Sequence, residues 1–161
     1  MANEQLSPSY QLALEIAGFL ENLSHQGSGL PNVFSGVKRD GQQFVCLLSP
    51  LNLDRGDRLD FMIDVLCFEE CVVFAHTMHV VNEAGVETIA FFSGQENEYW
   101  SFEFEPSPMG LKMLASNKTT EPAIFFQELL KPHGSGSSKT SELLELWQQV
   151  RSQIMWRTRL E

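Results

Sequence analysis

The sequence predicts an α+β fold: an antiparallel sheet of about five strands with helices on one face, and a C-terminal amphipathic helix after a flexible spacer. Three observations carry that prediction. Apolar residues recur at helical spacing near both ends and again around position 62. Between these stretches they follow strand spacing, and turn residues punctuate the strands at short intervals. Strands joined by such short connections pair antiparallel, because a parallel pair needs a long crossover.

Ser7-Pro8 opens the first element. Serine caps a helix by accepting a backbone N–H, proline suits the first helical position, and Gly27 suits the stop. Leu12, Ile16, Phe19, Leu20 and Leu23 then form one apolar stripe. The run NVFSGVKRDGQQFVCLLSP places Asp40-Gly41 between two apolar segments, and that pair tolerates the positive φ of a tight hairpin turn. In NLDRGDRLDFMIDVLCFEE, Leu59, Met62, Ile63 and Leu66 fall on one side of a helix and Asp57, Asp60 and Asp64 on the other. Such a line of carboxylates reads as the solvated face of a surface helix.

VVFAHTMHVV, VETIAFFSG and EYWSFEFEP read as three strands. In the last, Trp100, Phe102 and Phe104 alternate with Tyr99, Ser101, Glu103 and Glu105. A short helical turn is expected over Met109 to Ala115. EPAIFFQELLKP reads as a further helix with Phe125, Phe126, Leu129 and Leu130 on its apolar face. HGSGSSK resembles an engineered linker, and Leu160-Glu161 a cloning remnant. In TSELLELWQQVRSQIMWRTRLE, Leu143, Trp147, Val150 and Ile154 recur at spacings of 4, 3 and 4, the seam of an amphipathic helix. The expected organisation is one α+β domain over 1–132, a flexible spacer over 133–140 and an amphipathic helix over 141–161.

Composition narrows the functional classes. At 161 residues, with 43% hydrophobic residues and twelve Phe, the chain can build a sizeable core, and 20% charged residues argues against wholesale disorder. A formal net charge of −10 disfavours direct binding to nucleic acid or to an anionic membrane, and suits a basic protein surface. Three cysteines, an odd number, and an opening without a charged-then-apolar leader pattern point to free thiols in a cytoplasmic setting. No stretch approaches the roughly 18 apolar residues of a membrane span, so no membrane partner is expected.

One stretch resembles chemistry. CFEECVVFAHTMHVV carries Cys67, Cys71, His76 and His79. A zinc site would need all four to converge, yet the β-branched run from Val72 predicts a strand. Along a strand, the odd offset between His76 and His79 sends them to opposite faces. Cys71 with His76 as an activated thiol lacks a nucleophile turn and a glycine-rich oxyanion loop. The expectation is therefore no catalytic residue, no metal and no cofactor. A thiol- or metal-dependent enzyme centred on Cys71, His76 and His79, with Cys67 as a fourth ligand, stands as the alternative.

From Leu12 to Glu105, the order helix, hairpin, helix and three strands resembles small uncharacterised bacterial and phage proteins. In these a turn-flanked strand pair followed by proline precedes the second helix, and a strand with an aromatic-Ala pair follows it. The matching pieces are NVFSGVKRDGQQFVCLLSP and VVFAH. The resemblance implies a fold order and no activity, and residues 106–161 lie outside it.

These readings combine into a non-enzymatic acidic interaction module, of the adaptor, chaperone-like or inhibitor kind. Its expected partner is another protein, basic in character, or a second copy of the chain. The expected contacts are an acidic sheet face (Glu96, Glu98, Glu103, Glu105) and the helix seam Leu143, Trp147, Val150 and Ile154.

Overall fold

The computed structural model of the chain describes residues 7–25, 31–48, 51–81, 83–108, 110–120, 134–154 and 156–158. The elements among them are α1 (Pro8–His25), β1 (Val33–Lys38), β2 (Gln42–Leu47), α2 (Arg55–Phe68), β3 (Cys71–Val81), β4 (Glu87–Gln95), β5 (Glu98–Ser107), β6 (Gly110–Thr119), α3 (Thr140–Arg151) and β7 (Trp156–Thr158). The fold is α+β. All seven strands join one antiparallel sheet in the order β6-β5-β4-β3-β1-β2-β7. No described helix is long and apolar enough to cross a membrane.

Local chemistry explains most element ends. Gly41, at φ +92°, closes the β1–β2 hairpin, where its N–H reaches the Lys38 carbonyl at 2.9 Å. Asp54 caps α2 by accepting the N–H of Asp57 at 2.7 Å.

Alternation along the central strands divides the core. Val33 and Val37 of β1, and Val73 and Ala75 of β3, pack with Leu12, Ala13, Ile16 and Leu20 of α1. Phe34 and Phe74, of opposite parity, pack with Phe61, Val65 and Leu66 of α2 and with Leu143 and Trp147 of α3. Helices therefore cover both faces of the sheet, α1 on one and α2 with α3 on the other, where one covered face was expected. A glycine makes the second packing possible: a Cβ on Gly36 would lie 2.8 Å from the Phe44 ring and 2.9 Å from the Cys71 sulfur.

Two further segments differ from expectation. Met109 to Ala115 was expected to turn helically, but β6 runs from Gly110 to Thr119 as the sheet's outer strand. Leu111, Lys112, Met113, Leu114 and Ala115 are good helix formers, and pairing with the full length of β5 overrides that preference. The helix expected over 141–161 ends at Arg151, and Trp156 belongs to β7, paired with Phe44. The helix expected in EPAIFFQELLKP lies outside the described residues.

Candidate functional site

The Cys/His constellation does not assemble. His76 is buried and sits 5.3 Å from the Phe92 ring, while His79 is exposed and meets Glu87 at 2.8 Å. Their register partners, Phe34 for His76 and Ile89 for His79, belong to the two different core clusters, so the imidazoles occupy opposite faces. Cys67 lies on α2 beside Asp64 and Leu144, whereas Cys71 is packed within the α2 and α3 cluster. Among the described residues no three His, Cys, Asp or Glu side chains form a metal-binding group. Burial pushes the Cys71 thiol up to about 12, with the Glu69 charge adding to it, and burial alone does the same to Cys46. Neither carries appreciable thiolate at neutral pH. Burial, reinforced by the Arg58 charge, lowers His76 to about 4 and keeps it neutral.

The four acidic residues do not share a face. Glu96 lies in the β4–β5 turn. Glu98 has the parity of Trp100 and lies on the α1 side, accepting hydrogen bonds from Ser9 at 3.1 Å and from the Trp100 indole at 2.9 Å. Lys118 pairs with it at 3.4 Å. Glu103 and Glu105 alternate with Phe102 and Phe104, so they point to the other side. Glu98 thus ties α1 to β5 rather than presenting charge to a partner.

The helix seam also divides. Leu143 and Trp147 are buried in the chain's own core, and Trp147 is 0% exposed, so neither is presented to another molecule. The Trp147 indole donates to Glu69 at 2.7 Å, and its ring lies 4.9 Å from Phe44. Val150 and Ile154 are only partly buried and look into a cavity described below.

The aspartate line of α2 receives the spacer. Ser135 gives Asp64 its backbone N–H at 2.8 Å and its hydroxyl at 2.9 Å, and Thr140 adds a third bond at 2.9 Å. Ser137 hydrogen-bonds to Asp60. Lys139 meets Asp57 at 3.1 Å. Alternate spacer residues therefore answer carboxylates on successive turns of α2, running antiparallel to it. Burial raises the Asp60 carboxyl, the Asp64 charge adds to this, and the Ser137 bond works against both.

One opening lies on the α1 side of the sheet. Gln43, Val45 and Leu47 have the opposite parity to Phe44 and Cys46, so they face the α1 side. α1 rests over β3, β4, β5 and β6 and leaves a slot of about 760 Å³ over β2. One wall is the flank of α1, formed by Glu15, Gly18, Phe19 and Asn22 at helical spacing. The other wall comes from the end of α3, where Val150 and Ile154 look in. Among the described lining residues only Glu15 is charged. Pattern reading missed this slot because its walls come from three separated segments. The one local signal was a glycine in the middle of a helix.

Neither protein-family models, nor curated proteins, nor solved structures give a match to the chain.

Proposed function

We propose that this chain is a non-enzymatic, cytoplasmic protein-interaction module that holds the apolar face of a partner's basic amphipathic helix in the slot beside α1. The observation that carries the reading is the slot itself. Its volume falls within the several-hundred-Å³ range of binding cavities, and its floor and walls are largely apolar. A helix with its side chains is roughly 10–12 Å across, close to the width of two strands at about 4.8 Å spacing. The flank of α1 offers an elongated wall of two turns, which suits a helix lying alongside.

Charge sets the occupant's polar face. The described lining holds a carboxylate and no Lys or Arg, on a chain of net charge −10, so Lys or Arg flanking the apolar stripe is favoured and an acidic flank repelled.

Calorimetric titration with two designed helices, one of Leu and Lys and one of Leu and Glu, tests the proposal. Saturable binding of the Leu/Lys helix, at least about ten-fold tighter than its acidic counterpart, is the expected result. Equal affinities, or no binding, would overturn it. So would a stable dimer in sedimentation that loses the slot's accessibility, since the occupant would then be a second copy.

A further inference from the structure

Gly18 lies in the interior of α1, and a Cβ built on it would meet nothing within 4 Å. That is unusual chemistry for a helix. Glycine is disfavoured in helix interiors relative to alanine, because it loses more backbone freedom on folding. The neighbouring small residues have an internal reason: Ala13 and Ala17 are buried where α1 approaches the sheet. Gly18 is exposed, has none of the described atoms within 4 Å of a Cβ position, and lines the slot one turn from Glu15 and Asn22.

Resting on the reading of the slot as a binding site, we infer that Gly18 is its specificity-determining residue. The bare backbone there opens a subsite for one bulky apolar side chain of the occupant, of Trp or Phe size. Phe19 stands beside this subsite on the same wall, and Val45 and Leu47 lie on the floor. A side chain at position 18 would fill the space and exclude the anchor while leaving the rest of the slot open.

The test uses the full chain, its Gly18→Ala and Gly18→Phe variants, and three probes. Two are Leu/Lys helices with Trp or Ala at the central apolar position, and the third is Nile red, a neutral apolar dye. The wild type binds the Trp helix at least about ten-fold tighter than the Ala helix. Gly18→Ala narrows that ratio, and Gly18→Phe erases it while keeping the Ala helix within about three-fold of its wild-type affinity. Gly18→Ala melts no lower than wild type, since a Cβ there meets none of the described atoms within 4 Å, and it serves if Gly18→Phe folds poorly. A Trp preference that survives in Gly18→Phe, or that is absent in wild type, overturns the inference. If neither helix binds but Gly18→Phe expels Nile red, the subsite stands and the helix occupant falls. If the dye binds all three proteins alike, the subsite falls.

Discussion

The indole N–H of Trp147 donates to the Glu69 carboxylate at 2.7 Å, with both side chains buried, and Arg151 donates to the same oxygen at 2.9 Å. This bond joins α3 to the end of α2, so α3 is part of the core and no detachable arm. Trp147→Phe keeps most of the ring packing against Phe44 and Phe61 but leaves a buried carboxylate oxygen short of a donor. A loss of about 1–3 kcal/mol is expected, read as a lower urea midpoint at unchanged slope. Deleting residues 134–161 should go further and yield insoluble protein, because Phe44, Phe61 and Leu66 lose their cover. A soluble, cooperatively melting truncation would show that α2 and the sheet need no α3.

Asp64 and Lys139 should respond very differently to removal. Asp64 is buried and accepts the Ser135 N–H and two hydroxyls, so Asp64→Ala leaves three part-buried donors without this acceptor and costs about 1–2 kcal/mol. Lys139 is half exposed where it meets Asp57, so solvent screens the pair and Lys139→Ala should leave the urea midpoint essentially unmoved. Similar effects from the two substitutions, in matched denaturation curves, would mean that the spacer is not held through Asp64.

His76 gives the fold a pH dependence with a definite sign. Its pKa falls from 6.5 to about 4 on folding, so between those values the unfolded chain binds a proton that the folded chain refuses. Stability is therefore fully present above pH 6.5 and is lost as pH falls toward 4, by an amount on the order of 3 kcal/mol. The urea midpoint of the wild type should drop across that window, and the drop should shrink in His76→Phe. A midpoint that holds steady from about pH 7 to about pH 4.5 would show that the imidazole gains its proton without leaving the core.

The three thiols should separate kinetically. With pKa values pushed up to about 12, Cys46 and Cys71 hold on the order of a thousand-fold less thiolate at about pH 8 than an unperturbed thiol. Cys67 is only partly buried, beside an opening between α2 and α3. One fast equivalent with Ellman's reagent in the native protein, and three in urea, is the expected count. Rapid modification of Cys71 in native protein would reopen the thiol-enzyme reading.

Much of this architecture was legible where its cause is local. Ser7-Pro8, Asp40-Gly41 and the two-sided pattern from Asp57 to Leu66 each act within a few residues, and α1, the β1–β2 hairpin and α2 form there. β6 was not legible, because Leu111 to Ala115 favour a helix in isolation and become a strand only through pairing with β5. Parity along β3 correctly separated His76 from His79. Parity along β5 equally separated Glu98 from Glu103, which undoes the acidic face that composition suggested. Gly/Ser content likewise suggested a free spacer, because nothing in residues 134–139 announces Asp64, some 71 residues away in sequence from Ser135.

Gly36 and Gly18 make the sharpest comparison, because the same substitution should act in opposite directions at the two sites. At Gly36 an added methyl lands 2.8 Å from the Phe44 ring and 2.9 Å from the Cys71 sulfur, in a core with little freedom to shift. Gly36→Ala should therefore destabilise by about 1–3 kcal/mol, as overpacking does. At Gly18 the methyl enters open space on a helix, so Gly18→Ala should stabilise by about 0.5–1 kcal/mol. Paired urea curves with unchanged slopes would read both. A destabilised Gly18→Ala would mean that something within the chain occupies the slot. The glycine would then serve the fold rather than a partner.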